Sequence, residues 1–266
     1  MTFPSDAGGL GTPTSRPTLT DPVAEGLRLV MAAETEQLQL RMLGGVAVRS
    51  RCRRSGQDPL AREYRDLDFV VARRQARGLT SFLKRNGYGA DERFNSMHGE
   101  SRLLFQDLAG GRRLDVFLGT FTMCHSLNLE PRLSLHDSTL SPADLLLTKL
   151  QIVELNRKDV QDALALLLDF PPIVGPTKPG EELDVGVLVQ LCGRDWGWYT
   201  TLNDNLDQLV SRAAEFLSQD ESVLLGQHAR VIKDAIDRAP KSVGWHLRAK
   251  IGRKLQWYEL PEEVDR

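Results

Sequence analysis

Six consecutive residues, Asp66-Leu67-Asp68-Phe69-Val70-Val71, constrain this 266-residue chain more than any other feature. Acidic and apolar residues alternate and then give way to a wholly apolar run. That pattern reads as a strand with two carboxylates on one face, about 7 Å apart along it. Like charges fixed that close in a half-buried strand raise each other's cost of ionisation. A divalent cation between them removes the cost, and Mg²⁺ prefers a few carboxylates completed by phosphate oxygens and water. A solvent-facing Asp-x-Asp on an edge strand would show the same alternation, so the pair needs company to point to chemistry.

Asp115 is that company. It lies in Arg113-Leu114-Asp115-Val116-Phe117-Leu118, a second apolar strand in which an acid is costly unless paired or metal-bound. Arg102-Leu103-Leu104-Phe105 reads as a third strand, joined to it through a Gly110-Gly111 turn. A neighbouring strand can bring Asp115 beside Asp66 and Asp68. Three acids on adjacent strands suit phosphoryl transfer, in which metal ions clamp the attacking and leaving oxygens. Upstream, Met42-Leu43-Gly44-Gly45 reads as a strand running into a turn and then a helix. The first N–H groups of such a helix can face a phosphate.

These residues resemble the nucleotidyltransferase superfamily of the DNA-polymerase-β type. The likeness rests on Leu43-Gly44-Gly45, Asp66-Leu67-Asp68-Phe69 and Leu114-Asp115-Val116, and spans roughly residues 24–170. The resemblance implies an α/β (α+β) nucleotidyltransferase fold with a short mixed sheet flanked by helices. It implies that Gly44 and Gly45 hold the phosphates of an NTP such as ATP. Asp66 and Asp68 would bind Mg²⁺, and Asp115 would bind metal or act as base. The gap of 21 positions from Gly45 to Asp66 is longer than the family's usual spacing and points to an inserted polar loop around 53–61.

A second likeness lies further on. Lys149, in Leu147-Thr148-Lys149-Leu150, is followed by Asn156-Arg157-Lys158-Asp159 and Asp162. This is similar to the AbiEii-type nucleotidyltransferase toxins. It implies that Lys149 contacts the nucleotide phosphates and that Asp159 or Asp162 orders the site. On the residues alone, Lys149 could equally snorkel over an amphipathic helix, and Asp159 could be a capping acid.

Around these motifs the chain divides by composition. Residues 1–19, rich in Gly, Pro, Ser and Thr, are expected to form a disordered tail. The nucleotidyltransferase domain is expected over 20–170, opening with Asp21 as N-cap and Pro22 at the first helical position. Ser141-Pro142 and Asn156 mark two further helix starts, the first helix running through Leu155. A Pro/Gly-rich linker is expected over 171–182 and a mostly helical C-terminal domain over 183–266. The cluster Trp196-Gly197-Trp198-Tyr199, with Trp245, Trp257 and Tyr258, is expected in its core.

Composition excludes several classes. No apolar run approaches the ~20 residues that span a bilayer. The N-terminus shows no secretory signal, and Cys52, Cys124 and Cys192 are sparse and odd in number, which fits a reducing cytoplasm. The five histidines have no metal-ligand spacing. The net charge is −2, but Arg41–Arg93 holds 13 Lys/Arg against 6 Asp/Glu, an excess of +7. That patch suits a polyanionic acceptor such as RNA, as in a toxin–antitoxin enzyme. A small-molecule transferase of the aminoglycoside type, drawing on Glu181, Glu182, Asp184, Asp204 and Asp207, and a non-catalytic nucleotide-binding protein are the alternatives.

Overall fold

A computed structural model describes residues 17–260; the tail expected over 1–19 lies largely outside them. The chain opens with α1 (Pro22–Thr35), where Asp21 accepts the Ala24 N–H at 2.7 Å as expected of an N-cap. Then follow β1 (Arg41–Leu43), α2 (Gly44–Arg51), β2 (Leu67–Val71), α3 (Ala76–Arg85), β3 (Tyr88–Ala90), α4 (Glu92–His98), β4 (Arg102–Asp107) and β5 (Arg113–Leu118). These strands form a five-stranded mixed sheet in the order β1-β2-β5-β4-β3. Only β2 and β5 run parallel, and both are central. Segment 138–140 lies along the outer side of β1, where the Met42 N–H reaches Ser138 O at 2.9 Å. That edge of the sheet is therefore covered.

A small hairpin, β6 (Thr120–Thr122) and β7 (Ser126–Asn128), leads to α5 (Pro142–Leu150) and α6 (Arg157–Asp169). Ser141 and Asn156 cap these helices through the Asp144 and Asp159 N–H groups, at 3.2 and 3.0 Å. The first helix was expected to run to Leu155, but it stops at Leu150. The Asn205 side chain donates to the Leu150 and Ile152 carbonyls at 2.7 and 2.8 Å, satisfying groups that another helical turn would have used. Within 171–182 the chain forms β8 (Pro172–Ile173), which pairs in parallel with β9 (Leu183–Asp184). Four helices complete the described chain: α7 (Val185–Arg194), α8 (Trp196–Arg212), α9 (Gln219–Arg238) and α10 (Val243–Ile251). The expected architecture, a short mixed sheet flanked by helices and followed by a helical C-terminal region, is the one observed.

The core runs without a break from Leu29 of α1, through the sheet and α5–α6, to Ile236 of α9. Helix α6 sits in its middle, with every residue from Asp159 to Leu168 buried. Of the aromatic cluster only Trp198 is core; Trp196, Trp245 and Trp257 are half-buried, two of them beneath Arg248 and Arg253. No helix among the described residues is long and apolar enough to cross a membrane.

Candidate active site

The parallel pairing of β2 with β5 sets the site. Asp68 and Asp115 are direct partners in that register. Paired residues in a sheet point to the same face about 4.8 Å apart, so the two carboxylates are neighbours. Asp68 is half-buried and Asp115 is 5% exposed. Burial first, and then the Asp115 charge, push the Asp68 carboxyl up to about 7, with Lys149 opposing them. Asp66 adds to the same repulsion. It was expected within the strand but lies just before it, exposed, where the chain enters from an irregular loop.

The glycine pair is closer to the acids than sequence spacing suggested. Gly44 begins α2 with φ +68°, and a Cβ there would collide with the Asp68 carboxyl. Glycine is required on both counts. Gly45 likewise lies against the Arg62 guanidinium. Leu43 precedes α2 and caps it with no side-chain hydrogen bond, so the first N–H groups of the helix stand beside the acids.

Lys149, Asp159 and Asp162 form one buried network. Lys149, 8% exposed, places its Nζ 3.2 Å from Asp159 Oδ1 and 2.9 Å from Asp162 Oδ2. Burial would lower the Lys149 pKa, but the two carboxylates outweigh it and the net shift is upward. Burial would raise Asp162, but Lys149 and Arg62 hold it below the usual carboxylate range. Arg62 grips Asp162 with two hydrogen bonds, at 3.0 and 2.8 Å, while lying over the Tyr64 ring. The chain of charges Asp159–Lys149–Asp162–Arg62 thus ends at Gly45.

Three arginines escaped the sequence reading. Arg62 connects the two groups of residues. Arg102 and Arg113 each face one oxygen of Asp115, at 2.8 and 3.3 Å. A hint was present, since Arg102 and Arg113 open the two strands of one hairpin, but that Arg102 meets Asp115 depends on the β4–β5 register, in which Asp115 pairs with Leu104, two positions from Arg102. The basic excess between Arg41 and Arg93 also changes meaning. Arg41, Arg51, Arg54, Arg62, Arg65, Lys84 and Arg85, seven of the thirteen, hold carboxylates or carbonyls within the chain. Arg41, Arg51, Arg54 and Arg62 thus serve the scaffold, while the pairs of Arg65, Lys84 and Arg85 stay on the surface.

The donor set fits Mg²⁺. Asp66 and Asp68 offer hard carboxylate oxygens, and the raised Asp68 carboxyl marks a place where added positive charge stabilises the ionised form. Among the described residues no three His, Cys, Asp or Glu side chains already form a cage. Sites completed by substrate phosphates do not need one.

No protein-family model and no curated protein matches the sequence. Two solved structures share features of its shape. One is the antibiotic-resistance factor ANT(2'')-Ia, 14% identical, with a TM-score of 0.36, over 55% of this chain and 82% of that one. The other is a candidate nucleotidyltransferase from H. pylori, 12% identical, with a TM-score of 0.40, over 84% of this chain and 100% of that one. At these scores neither likeness carries an assignment of function.

Proposed function

We propose that this chain is a nucleotidyltransferase that moves a nucleoside monophosphate from an NTP to an acceptor hydroxyl. The observation behind this reading is the register of Asp68 against Asp115, with the amino end of α2 pressed on the same carboxyl. Phosphates lying along the N–H groups of Gly44 and Gly45 would sit beside Asp66 and Asp68, the residues that would hold Mg²⁺. A bound Mg²⁺ supplies charge neutralisation and polarises the phosphoryl oxygens. The acceptor oxygen bonds to the α-phosphorus, the bond to pyrophosphate breaks, and the acceptor's proton passes to solvent.

Lys149, held cationic by Asp159 and Asp162, adds a fixed positive charge on the Asp68 side. Two guanidinium groups, of Arg102 and Arg113, face the Asp115 oxygens. The role of Asp115 in this reading is to set the negative field next to Asp68 and to orient Arg102 and Arg113. Positioning and preorganised charge supply most of the acceleration. The acids serve either acceptor class, toxin-like transfer to RNA or transfer to a small molecule. The same arginine clamp on Asp115 favours one second reading, a protein that binds nucleotide without transfer, in a cytoplasmic setting either way.

Calorimetry with ATP and Mg²⁺ tests the reading. Wild type is expected to bind, Asp66→Asn and Asp68→Asn to lose metal-dependent binding at least tenfold, and all three to fold. Equal binding by wild type and both variants would remove the metal assignment.

A further inference from the structure

We propose that the groove beside Asp66 is an oxyanion site for the acceptor, which therefore carries a phosphate or carboxylate group near the hydroxyl it offers. The proposal rests on the nucleotidyl-transfer reading above. The groove has a volume of about 580 Å³, within the range of small-ligand pockets. One wall is Tyr64-Arg65-Asp66, another is the β4–β5 turn with Arg112 and Arg113, and the third is the chain entering α1. Three guanidinium groups thus line one cavity.

Their bonding leaves them capacity for a ligand. Arg112 donates through Nη2 to the Leu19 and Thr20 carbonyls, both at 2.8 Å, while its buried Nη1 has no hydrogen-bond partner. No carboxylate among the described residues pairs with it within ion-pair distance. The buried Arg113 Nε faces Asp115 at 3.3 Å without hydrogen-bond geometry. Arg65 holds only Glu63, at 2.8 Å, and both side chains are more than four-fifths exposed. Such a pair is worth little and exchanges for a better ligand. Buried donors left unmade are costly, and guanidinium groups match oxyanions two bonds at a time.

Two acids share the groove: against burial, hydrogen bonds to its Oδ1 and the Arg112 charge hold the Asp107 carboxyl below the usual carboxylate range, while its Oδ2 is buried without a hydrogen-bond partner. Asp66 belongs to the metal set. Asp107 spends Oδ1 on the Thr18 hydroxyl and on the Ala109 and Gly110 N–H groups, at 2.9, 3.0 and 2.9 Å, closing the hairpin turn. The groove includes neither Gly44, Gly45 nor Lys149. It meets the acids only at Asp66 and Arg113, so an NTP with its phosphates on α2 leaves it to the other reactant. A polycationic acceptor would face three guanidinium groups there.

Inorganic phosphate titrated calorimetrically at low salt is the test, with and without saturating ATP and Mg²⁺. Wild type should bind phosphate equally in both conditions. Arg112→Gln and Arg65→Gln should each weaken it about tenfold, and Arg93→Gln, an exposed arginine off the groove, should not. Should Arg112→Gln fail to fold, the exposed Arg65 variant still decides. Absence of phosphate binding, or equal binding by the groove variants, overturns the site. Displacement of phosphate by ATP gives the groove to the nucleotide and overturns the acceptor assignment. Phosphate that discriminates the variants while ATP does not bind at all supports the oxyanion site and overturns the transfer reading instead.

Discussion

A carboxyl pushed up to about 7 has lost more to burial and to the Asp115 charge than Lys149 and Arg102 return. Asp68 therefore costs the metal-free fold stability wherever it must ionise. Its folded pKa lies above the ordinary value of 3.8, so stability is full below about pH 4 and falls as the pH rises toward 7. Asp68→Asn should abolish that fall and stabilise the metal-free protein by about 2 kcal/mol at pH 8, a value discounted for its partial exposure. Urea melts across pH would show it, and a variant less stable than wild type at pH 8 would contradict it. Asp115→Asn should lower kcat by about tenfold or more and change ATP affinity less, because its field acts on the transition state. A transfer assay beside calorimetry separates the two. Asp68 and Asp115 were legible because each interrupts an apolar run, and Asp66 because it stands two positions before Asp68. Arg62, Arg102 and Arg113 were not, since an arginine near a strand reads the same whether it meets water or a buried carboxylate.

Among the elements, the junction of β1 and α2 carries the most demanding geometry. Gly44→Ala must place a Cβ against Asp68 at φ +68°. A loss of about 1–3 kcal/mol is expected, together with loss of nucleotide binding; thermal melts with and without ATP and Mg²⁺ measure both. Asp162→Ala removes the shared partner of Lys149 and Arg62, leaving the buried Lys149 with Asp159 alone and the half-buried Arg62 with no carboxylate. It should destabilise by about 3–5 kcal/mol by denaturant unfolding, and a loss under 1 kcal/mol would mean the network is relaxed by water. Helix starts were readable because a cap and a proline act locally: Asp21, Ser141 and Asn156 all cap as their sequences imply. The end of α5 was not, because Asn205, 55 residues away from Leu150, terminates it. The three-residue strands β3, β6 and β7 were missed as well, being too short to show a period and existing through their partners.

At the scale of the whole molecule, the sheet and the C-terminal helices share one core through α6. All four tryptophans, Trp196, Trp198, Trp245 and Trp257, lie in the C-terminal helical region, whereas the acids lie in the sheet. Tryptophan fluorescence and far-ultraviolet dichroism should therefore report one coincident thermal transition. ATP and Mg²⁺ at a hundredfold excess over Kd should move both traces together, by about 2.7 kcal/mol. Two separate transitions would mean the helical region folds apart from the site. The most direct measurement of the central claim is transfer itself. Protein is incubated with Mg²⁺ and NTPs labelled at either the α- or the γ-phosphorus, against total RNA and a panel of phosphorylated and aminoglycoside acceptors. Label from the α position on an acceptor, with pyrophosphate released and Asp68→Asn inactive, is the predicted result. Label arriving from the γ position, or an Asp68→Asn variant as active as wild type, would contradict it.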